Sequence, residues 1–242
     1  MCGPFLQMTP GAEDGADNLE IELRQSDPWR WASSRFVGTV AARAALVGLY
    51  ALDNELSRIP TVTSQLMLGE IRFAWWRERM EALLEGGDLP GHPVLQALAA
   101  ARDTAGLDIG ALLPLIDARA RALDPEPIPT EQSLADWLDA SSGVVMRAAL
   151  GVLGPGTEGF EATPFGRVWG LERILTGAAA PALGPGLELA PLRIAEMAKA
   201  RRAARRVPAM AFPAIAHLAA SGREDPLTIR LCVMAAVALG RI

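Results

Sequence analysis

The sequence has few residues of the types that build disulfide frameworks and metal clusters. Among 242 residues there are two cysteines and two histidines. Cys2 and Cys232 lie near opposite ends of the chain, and no Cys-x-x-Cys pair occurs. His92 and His217 have neither a nucleophile nor other metal ligands at a readable spacing. The sequence therefore supports no zinc cluster and no disulfide framework, which is typical of a reducing compartment.

Long apolar runs and excess positive charge are also missing. The longest apolar candidates, such as residues 231–240, fall well short of the roughly 20 residues that cross a bilayer. The first residues are acidic, unlike the basic leaders of secreted or imported proteins. The net charge of -5 argues against a nucleic-acid-binding domain. We expect a cytoplasmic protein without signal peptide or transmembrane helix, and a peripheral contact with the inner face of a membrane stays open.

The apolar content bounds the domain organisation. Half of the residues are hydrophobic, so a chain of this length can bury one large core without disulfides. Residues 1–20 are rich in Gly, Asp and Glu and are predicted to form a flexible acidic tail. Residues 21–242 are predicted to form one domain. No sustained alternating pattern occurs, so the predicted fold class is all-α.

The stretch from Asp27 to Gly87 has the densest helical periodicity and four of the six tryptophans. Asp27 before Pro28 predicts a helix N-cap, Pro60 predicts a break, and Gly86 predicts a helix end. Apolar residues recur at helical spacing on both sides of the break, and these two sets are predicted to face the core. They are Phe36, Val40, Ala44, Val47 and Ala51 before it, and Leu68, Ile71, Trp75, Met80 and Leu83 after it.

The same stretch resembles a known family. Arg43, Leu49-Tyr50-Ala51, Leu68-Gly69-Glu70-Ile71-Arg72 and Trp75-Trp76-Arg77 follow the order found in squalene and phytoene synthases. The run Asn54-Glu55-Leu56-Ser57-Arg58 resembles the sequence found at this position in one branch of the family. That branch contains bacterial relatives of the mitochondrial complex I assembly factor of squalene/phytoene synthase type. The resemblance implies the isoprenoid-synthase, or trans-prenyltransferase, helical bundle around a central cavity.

The resemblance also implies a metal chemistry that the residues do not support. Head-to-head prenyl condensation needs magnesium, which carboxylates on two facing helices hold against the substrate diphosphate. The family's two aspartate-rich motifs align with residues 57–61 and 171–177, where Arg58 and Arg173 stand instead. No Asp-x-x-x-Asp pair occurs anywhere in the sequence. We therefore predict neither a metal site nor catalytic residues, with magnesium required only if the protein is an enzyme with divergent ligands.

Arginines can bind an anion directly through forked, charge-assisted hydrogen bonds. This leads to a candidate anion or ligand pocket around the resemblance motifs. Plainer roles stay open for several members: a core role for the tryptophan, an ion pair of Arg43 with Glu55 or Glu70, and a residual single-metal site at Asp53 and Glu55. The candidate pocket comprises Arg43, Tyr50, Asp53, Glu55, Arg58, Arg72, Trp76, Arg77 and Arg173.

A second candidate site is a basic surface on a helix predicted over Leu192 to Arg206. Its cations recur at i,i+4 and are suited to anionic lipid or an acidic protein, with an ordinary solvated face as the alternative. His92 is predicted to lie in a turn and His217 in the core. The basic surface comprises Lys199, Arg201, Arg202, Arg205 and Arg206.

These patterns favour a synthase-like protein that binds rather than catalyses. The resemblance implies a respiratory complex I subunit or assembly intermediate as its client, and a retained isoprenoid or lipid pocket. The alternative is an active head-to-head prenyl-diphosphate synthase with divergent metal ligands. A third possibility is a structural partner within a hetero-oligomer of related chains. No nucleic-acid partner is expected.

Overall fold

The computed structural model describes residues 11–63, 65–87, 90–154 and 161–242, with side chains from Asn18 onward. These residues contain eleven α-helices and four short 3-10 turns, and within them no strand forms beyond one bridge between Ile128 and Leu183. The prediction of an all-α fold is confirmed. The helices are α1 Gly11–Ser26, α2 Pro28–Ser34, α3 Val40–Val62, α4 Leu66–Glu85, α5 Pro93–Ala105, α6 Leu113–Ala120, α7 Glu131–Ala140, α8 Ser142–Leu153, α9 Thr163–Leu175, α10 Leu189–Ala204 and α11 Pro226–Leu239; the 3-10 turns are Gly110–Leu112, Arg121–Leu123, Phe212–Ala214 and Ala216–Ala220.

Helix α1 corrects the predicted flexible tail. The helix begins at Gly11, and Leu19 and Leu23 are buried in the core, where α1 packs against α3. Two leucines at i,i+4 are enough to hold one face of a helix on a neighbouring helix. Residues 11–20 are therefore not a tail, and residues 1–10 lie outside the described part of the chain.

The entrance to α3 differs from the predicted continuous helix. Asp27 caps α2, as expected, by accepting a hydrogen bond from the Arg30 backbone N–H at 3.0 Å. Helix α2 ends after two turns at Ser34, and Thr39 caps a new helix that begins at Val40. Phe36 and Val40 are consequently exposed rather than part of a core stripe.

Pro60 does not break α3, which continues to Val62. The missing proline amide lies within the last turn, where only one backbone hydrogen bond is lost. Side-chain hydroxyls supply bonds to nearby carbonyls: Thr61 donates to Arg58 O at 2.8 Å and Thr63 donates to Ile59 O at 2.7 Å. Gln65 is the N-cap residue of α4; Ser64, which was expected to share that role with Thr63, lies outside the described residues.

Helix α4 buries only part of the predicted stripe. Met80 and Leu83 are buried as predicted, but Leu68 and Ile71 are exposed, and Phe73 and Trp76 are buried in their place. This buried face also includes Gly69, where an added Cβ would lie 2.7 Å from the Leu123 side chain. The close approach of the 3-10 turn Arg121–Leu123 to Gly69 fixes which side of α4 faces the core. Gly86 ends the helix in the left-handed region, as predicted.

Helix α3 is the centre of the fold and contacts α1, α2, α4, α5, α6 and α8. On its other side, α8 meets α9 at an unusually close approach. A Cβ placed on Gly166 would lie 2.6 Å from Gly143 Cα, so only glycine permits this spacing. The small residues Ser142 and Gly143 of α8 lie at this contact. The result is a bundle whose middle is formed by α2, α3, α6 and α9, and no described helix is long and apolar enough to span a membrane.

Candidate functional site

The middle of the bundle contains a network of four charged side chains. Asp53 on α3 accepts hydrogen bonds from Arg30 Nη1 at 2.8 Å and from Arg119 Nε and Nη2 at 3.1 and 2.6 Å. Arg30 Nε also donates to Asp27, the residue that caps α2. All four residues are less than 9% exposed. We name Asp27, Arg30, Asp53 and Arg119 the central network.

The charges of the central network maintain one another. Burial opposes ionisation of Asp53, but Arg119 and Arg30 outweigh it, so the pKa of Asp53 is held well below its usual range. Burial likewise opposes the charge on Arg30, while Asp27 and Asp53 raise its pKa above the ordinary value. Arg30 and Asp53 are therefore both charged near neutral pH.

Aromatic rings and an amide complete the surroundings of Arg30. Its guanidinium carbon lies 4.6 Å from the centre of the Tyr50 ring and 5.2 Å from that of Trp169. Asn54 Oδ1 accepts from Arg30 Nη2 at 3.1 Å. Stacked rings and a fixed set of acceptors suit the planar guanidinium, which loses little freedom when held in this way.

The residues present do not fit a magnesium site. Magnesium requires free carboxylate oxygens in near-octahedral geometry, usually together with substrate phosphates. Both oxygens of Asp53 are bonded to guanidinium groups, and Asp27 is bonded to Arg30 through its side chain and to a backbone amide. The described residues contain no group of three or more His, Cys, Asp or Glu side chains placed to hold a metal.

The aligned positions of the two family motifs show the same mismatch. Ser57 is buried and donates a hydrogen bond to Asp53 O, whereas Arg58 is 62% exposed and lies 3.5 Å from Glu55. On α9, Arg173 lies over the Trp169 ring at 5.9 Å. Burial is the main cause that lowers the pKa of Arg173. The second aligned stretch contains one carboxylate, Glu172, which accepts hydrogen bonds from Ser221 Oγ at 2.7 Å and from the Gly222 N–H at 2.5 Å and lies 3.4 Å from Arg193. This carboxylate is therefore bonded outside the central network.

Several polar atoms beside the central network are buried and have no hydrogen-bond partner within the described part of the chain. They are Tyr50 Oη, Trp169 Nε1 and both ring nitrogens of His217. The His217 ring packs against the Trp169 ring at 4.8 Å, which confirms its predicted core position. Burial lowers the pKa of His217 to about 3, so its ring is neutral. Burial raises the pKa of Tyr50, so its hydroxyl is protonated.

The nine residues of the predicted anion pocket do not form one site. Only Tyr50, Asp53 and Arg173 lie around the middle of the bundle. Glu55 and Arg58 line a separate cavity of about 280 Å³ against α1. Arg43 pairs with Glu20 at 3.4 Å rather than with Glu55 or Glu70, and Arg72 is exposed.

Trp76 and Arg77 lie elsewhere again. Trp76 is buried edge-on against Trp75 and His92, with ring centres 5.2 and 5.1 Å away, so it is a core residue. His92 is the N-cap residue of α5, close to the predicted turn. Arg77 is hydrogen-bonded to Asp117 on α6. One pocket assembled from the resemblance motifs is therefore contradicted by the geometry.

Arg77 lies in an open groove of about 660 Å³ between α4 and α6 with the turn that follows it. We name this the α4 groove. Its apolar residues come from both walls, and its charged residues are five acids and one arginine. The lining is Leu66, Glu70, Phe73, Ala74, Arg77, Glu78, Glu81, Ile116, Asp117, Ala120, Leu123, Asp124 and Pro125.

The predicted basic surface is exposed, but it is not one continuous helical row. Helix α10 ends at Ala204, so Arg205 is its C-cap residue and Arg206 lies in the following turn. Lys199 is paired with Glu196 at 2.6 Å, and Arg201 donates to the Ile242 carbonyl at 3.1 Å. Two of the five cations therefore make contacts within the protein. The positive charge of this surface is less concentrated than the i,i+4 spacing predicts.

Three members of the central network were missing from the predicted site. The sequence predicts Asp27 only as a helix cap, and it does not identify Arg30 or Arg119 as site residues. A signal existed for the first pair, because Asp27 and Arg30 are three residues apart on one helix face. Asp53 within an apolar stripe of α3 also required a buried cation. Nothing local in the sequence pairs Asp53 with Arg119, 66 residues away.

Comparison with solved structures identifies the fold of this bundle. One match is a dehydrosqualene synthase crystallised with a ligand. The alignment covers 96% of this chain and 89% of that chain, with a TM-score of 0.67 and 13% identity. A second match is squalene synthase HpnC from Alicyclobacillus acidocaldarius, with a TM-score of 0.65 and 15% identity. This alignment covers 96% of this chain and 97% of that chain. These likenesses show the isoprenoid-synthase fold.

Sequence comparison identifies the family. A search of curated proteins found no significant match. The family model described as squalene/phytoene synthase matches residues 23–179, which is more than half of the chain and includes all four residues of the central network. The protein therefore belongs to the squalene/phytoene synthase family.

Proposed function

We propose that this protein is a non-catalytic member of the family that acts by binding, as an assembly factor of the respiratory complex I type. The observation that carries the proposal is the central network. Its two aspartates are committed to Arg30 and Arg119, where magnesium-dependent catalysis would need free carboxylates. A synthase fold without metal ligands is best explained by a function that uses its surface.

Electrostatics opposes conversion of this interior into a metal site. A magnesium ion approaching Asp53 would have to displace two guanidinium groups that bond both carboxylate oxygens. The displaced cations would remain close by, buried and without their acceptor, at a cost of several kcal/mol. Arg173 adds a third cation near the same place. The interior is thus set to exclude divalent cations rather than to attract them.

The proposed client is a respiratory complex I subunit or an assembly intermediate. Two features support this choice. The run Asn54 to Arg58 resembles the branch that contains the mitochondrial assembly factor, and the α4 groove offers an open apolar surface for a partner. The names of the two structural neighbours describe synthases, so synthase activity is the competing function, and it is favoured by the fold and by the family match over residues 23–179.

Catalysis is tested by incubating purified protein with farnesyl or geranylgeranyl diphosphate, with magnesium or with EDTA, and measuring diphosphate and hydrocarbon products. An active squalene synthase serves as the positive control. We expect neither product above a blank without protein. Magnesium-dependent release of diphosphate with a C30 or C40 hydrocarbon would establish the synthase function and overturn the proposal. Retention of the isoprenoid without turnover would show that a lipid pocket persists.

The assembly role is tested separately by purifying the tagged protein from native membranes and quantifying complex I subunits by mass spectrometry. A tagged, unrelated helical protein expressed at the same level is the control. We expect complex I subunits to be enriched over that control. Equal recovery from both baits would remove the complex I client from the proposal, whatever the outcome of the turnover assay.

A further inference from the structure

The α4 groove combines a buried apolar floor with an exposed apolar flank. Phe73 and Ile116 form the floor and are each less than 5% exposed, and Ala74, Ala120 and Leu123 line the same channel. The apolar surface continues beyond the groove along one flank of α4. Met67 is 68% exposed and Ile71 is 57% exposed. Ile71 lies three residues before the groove residue Ala74, so the two share a face of the helix.

The rim of the groove is acidic. Five carboxylates line it, and three of them are paired with arginines: Asp117 with Arg77, Glu78 with Arg79 and Asp124 with Arg121. The other two, Glu70 and Glu81, are exposed and lie eleven residues apart, about three helical turns, so they share one edge of α4. This charge would repel a diphosphate, an anionic headgroup or nucleic acid. It complements a partner that carries positive charge beside an apolar stripe.

The dimensions of the groove match a helix. The lining residues of α4 run from Leu66 to Glu81, fifteen residue steps that span about 22 Å at the rise of an α-helix. A partner helix of four turns has this length and presents apolar side chains at i, i+3, i+4 and i+7. Basic residues beside that stripe would lie opposite Glu70 and Glu81.

We propose that the α4 groove binds a basic amphipathic helix of a partner protein. The inference deepens the proposed function, since it assigns the binding activity to one surface and gives the chemistry of the client segment. The floor formed by Phe73, Ile116 and Leu123 takes the apolar stripe. The acidic rim orients the helix and selects against acidic segments.

The test uses the full-length protein and three synthetic 18-residue peptides of stated composition. One contains leucine and lysine with leucine at i, i+3, i+4 and i+7; the second has the same composition in an order that gives no apolar face; the third replaces lysine with glutamate. Fluorescence anisotropy of labelled peptides reports binding. We expect the first peptide to bind with Kd on the order of micromolar, weakening as salt rises, and the other two to bind at least about tenfold more weakly.

The site is located with two charge-matched variants. Glu70→Lys with Glu81→Lys reverses two exposed rim charges, whereas Glu188→Lys with Glu224→Lys reverses two exposed charges elsewhere. We expect the first variant to weaken binding of the amphipathic leucine-lysine peptide about tenfold or more, and the second to change it less than about twofold. Far-UV circular dichroism and thermal unfolding check that both variants fold.

Three results would overturn the inference. The leucine-lysine peptide could fail to bind, it could bind both charge variants equally, or its scrambled form could bind as tightly. Sedimentation of the protein alone examines a second copy as the occupant, and a dimer that dissociates only in the Glu70→Lys, Glu81→Lys variant would replace the partner helix. Because turnover and complex I recovery are measured independently, loss of peptide binding is distinguishable from failure of the proposed function.

Discussion

The central network and the α4 groove use charge in opposite ways. In the network, Arg30 and Arg119 satisfy Asp53, and every member is buried. In the groove, Glu70, Glu78 and Glu81 stand at the edge of an open apolar channel. One region has charges that neutralise each other in the interior; the other has two exposed carboxylates, Glu70 and Glu81, while Glu78 is paired with Arg79.

The contrast between these two regions indicates which part of the bundle offers charged groups to a ligand or partner. Active chemistry in such a fold depends on unpaired carboxylates inside a dry cavity. Here Asp27 and Asp53 bond arginines inside the bundle, and Glu70 and Glu81 are exposed on α4. Under the function proposed above, binding takes place on the surface of the fold, since fold and function are separable. The following predictions test each side of this comparison, from the largest effect to the smallest.

Asp53→Ala should be the most damaging change. It leaves Arg30 and Arg119 buried without the carboxylate that bonds both of them. We expect the free energy of unfolding to fall by about 3–5 kcal/mol, as for other broken buried ion pairs. Urea unfolding followed by circular dichroism measures it. Glu55→Ala, which removes only an exposed pair with Arg58, is the control and should cost less than about 1 kcal/mol. Equal costs at the two sites would mean that the network does not hold the bundle together.

Gly166→Ala should separate two helices beside the network. The added methyl group would lie 2.6 Å from Gly143 Cα and 2.9 Å from Gly143 N, so α8 and α9 must move apart. We expect a loss of about 1–3 kcal/mol in urea unfolding. Gly151→Ala on α8 is the matched control, because its new Cβ meets no atom within 4 Å and alanine favours the helix. Unchanged stability of Gly166→Ala would contradict the close approach.

Lowering the pH should decrease the free energy of unfolding, because His217 is neutral in the folded protein. The unfolded chain takes up a proton on this residue as the pH falls below about 6.5, but burial holds the folded ring neutral to about 3. The unfolded state therefore binds the additional proton, and the free energy of unfolding should decrease by about 1.4 kcal/mol per pH unit as the pH falls from 6 to 5. His217→Phe should remove this slope. The measurement is urea unfolding at several pH values, and identical slopes in the two proteins would refute the assignment.

Arg77→Ala should have the smallest effect on stability. Its pair with Asp117 is at the surface, where such contacts contribute about 0–1 kcal/mol. The substitution also makes the α4 groove more acidic. We expect nearly unchanged urea unfolding together with tighter binding of the leucine-lysine peptide. Weaker peptide binding would indicate that Arg77, rather than the acidic rim, is the binding group.

Much of the fold was predictable because local signals and burial agree in it. Asp27 and Gly86 mark helix ends through a side chain and through backbone freedom, and the structure uses both as predicted. The errors occurred where tertiary contacts decide. Pro60 is tolerated because α3 ends two residues later, and Ile71 is exposed because Leu123 packs at Gly69.

The candidate site was less predictable for a related reason. The sequence placed Tyr50, Asp53 and Arg173 in a candidate pocket, and the structure brings these three to the middle of the bundle. It could not show that Asp53 is already bonded to Arg119, since that contact depends on how α6 packs against α3. The α4 groove was missed for the same reason, because its two walls come from segments about forty residues apart.

The central claim is that the internal aspartates are committed to arginines and unavailable to a metal. The most direct test is isothermal titration calorimetry of the purified protein with farnesyl thiodiphosphate, an unreactive analogue, in magnesium and in EDTA. The account predicts that magnesium makes no difference, with either no binding or the same Kd in both buffers. Binding that tightens about tenfold or more with magnesium, by at least ~1.4 kcal/mol, and loses this gain in Asp53→Asn would contradict it.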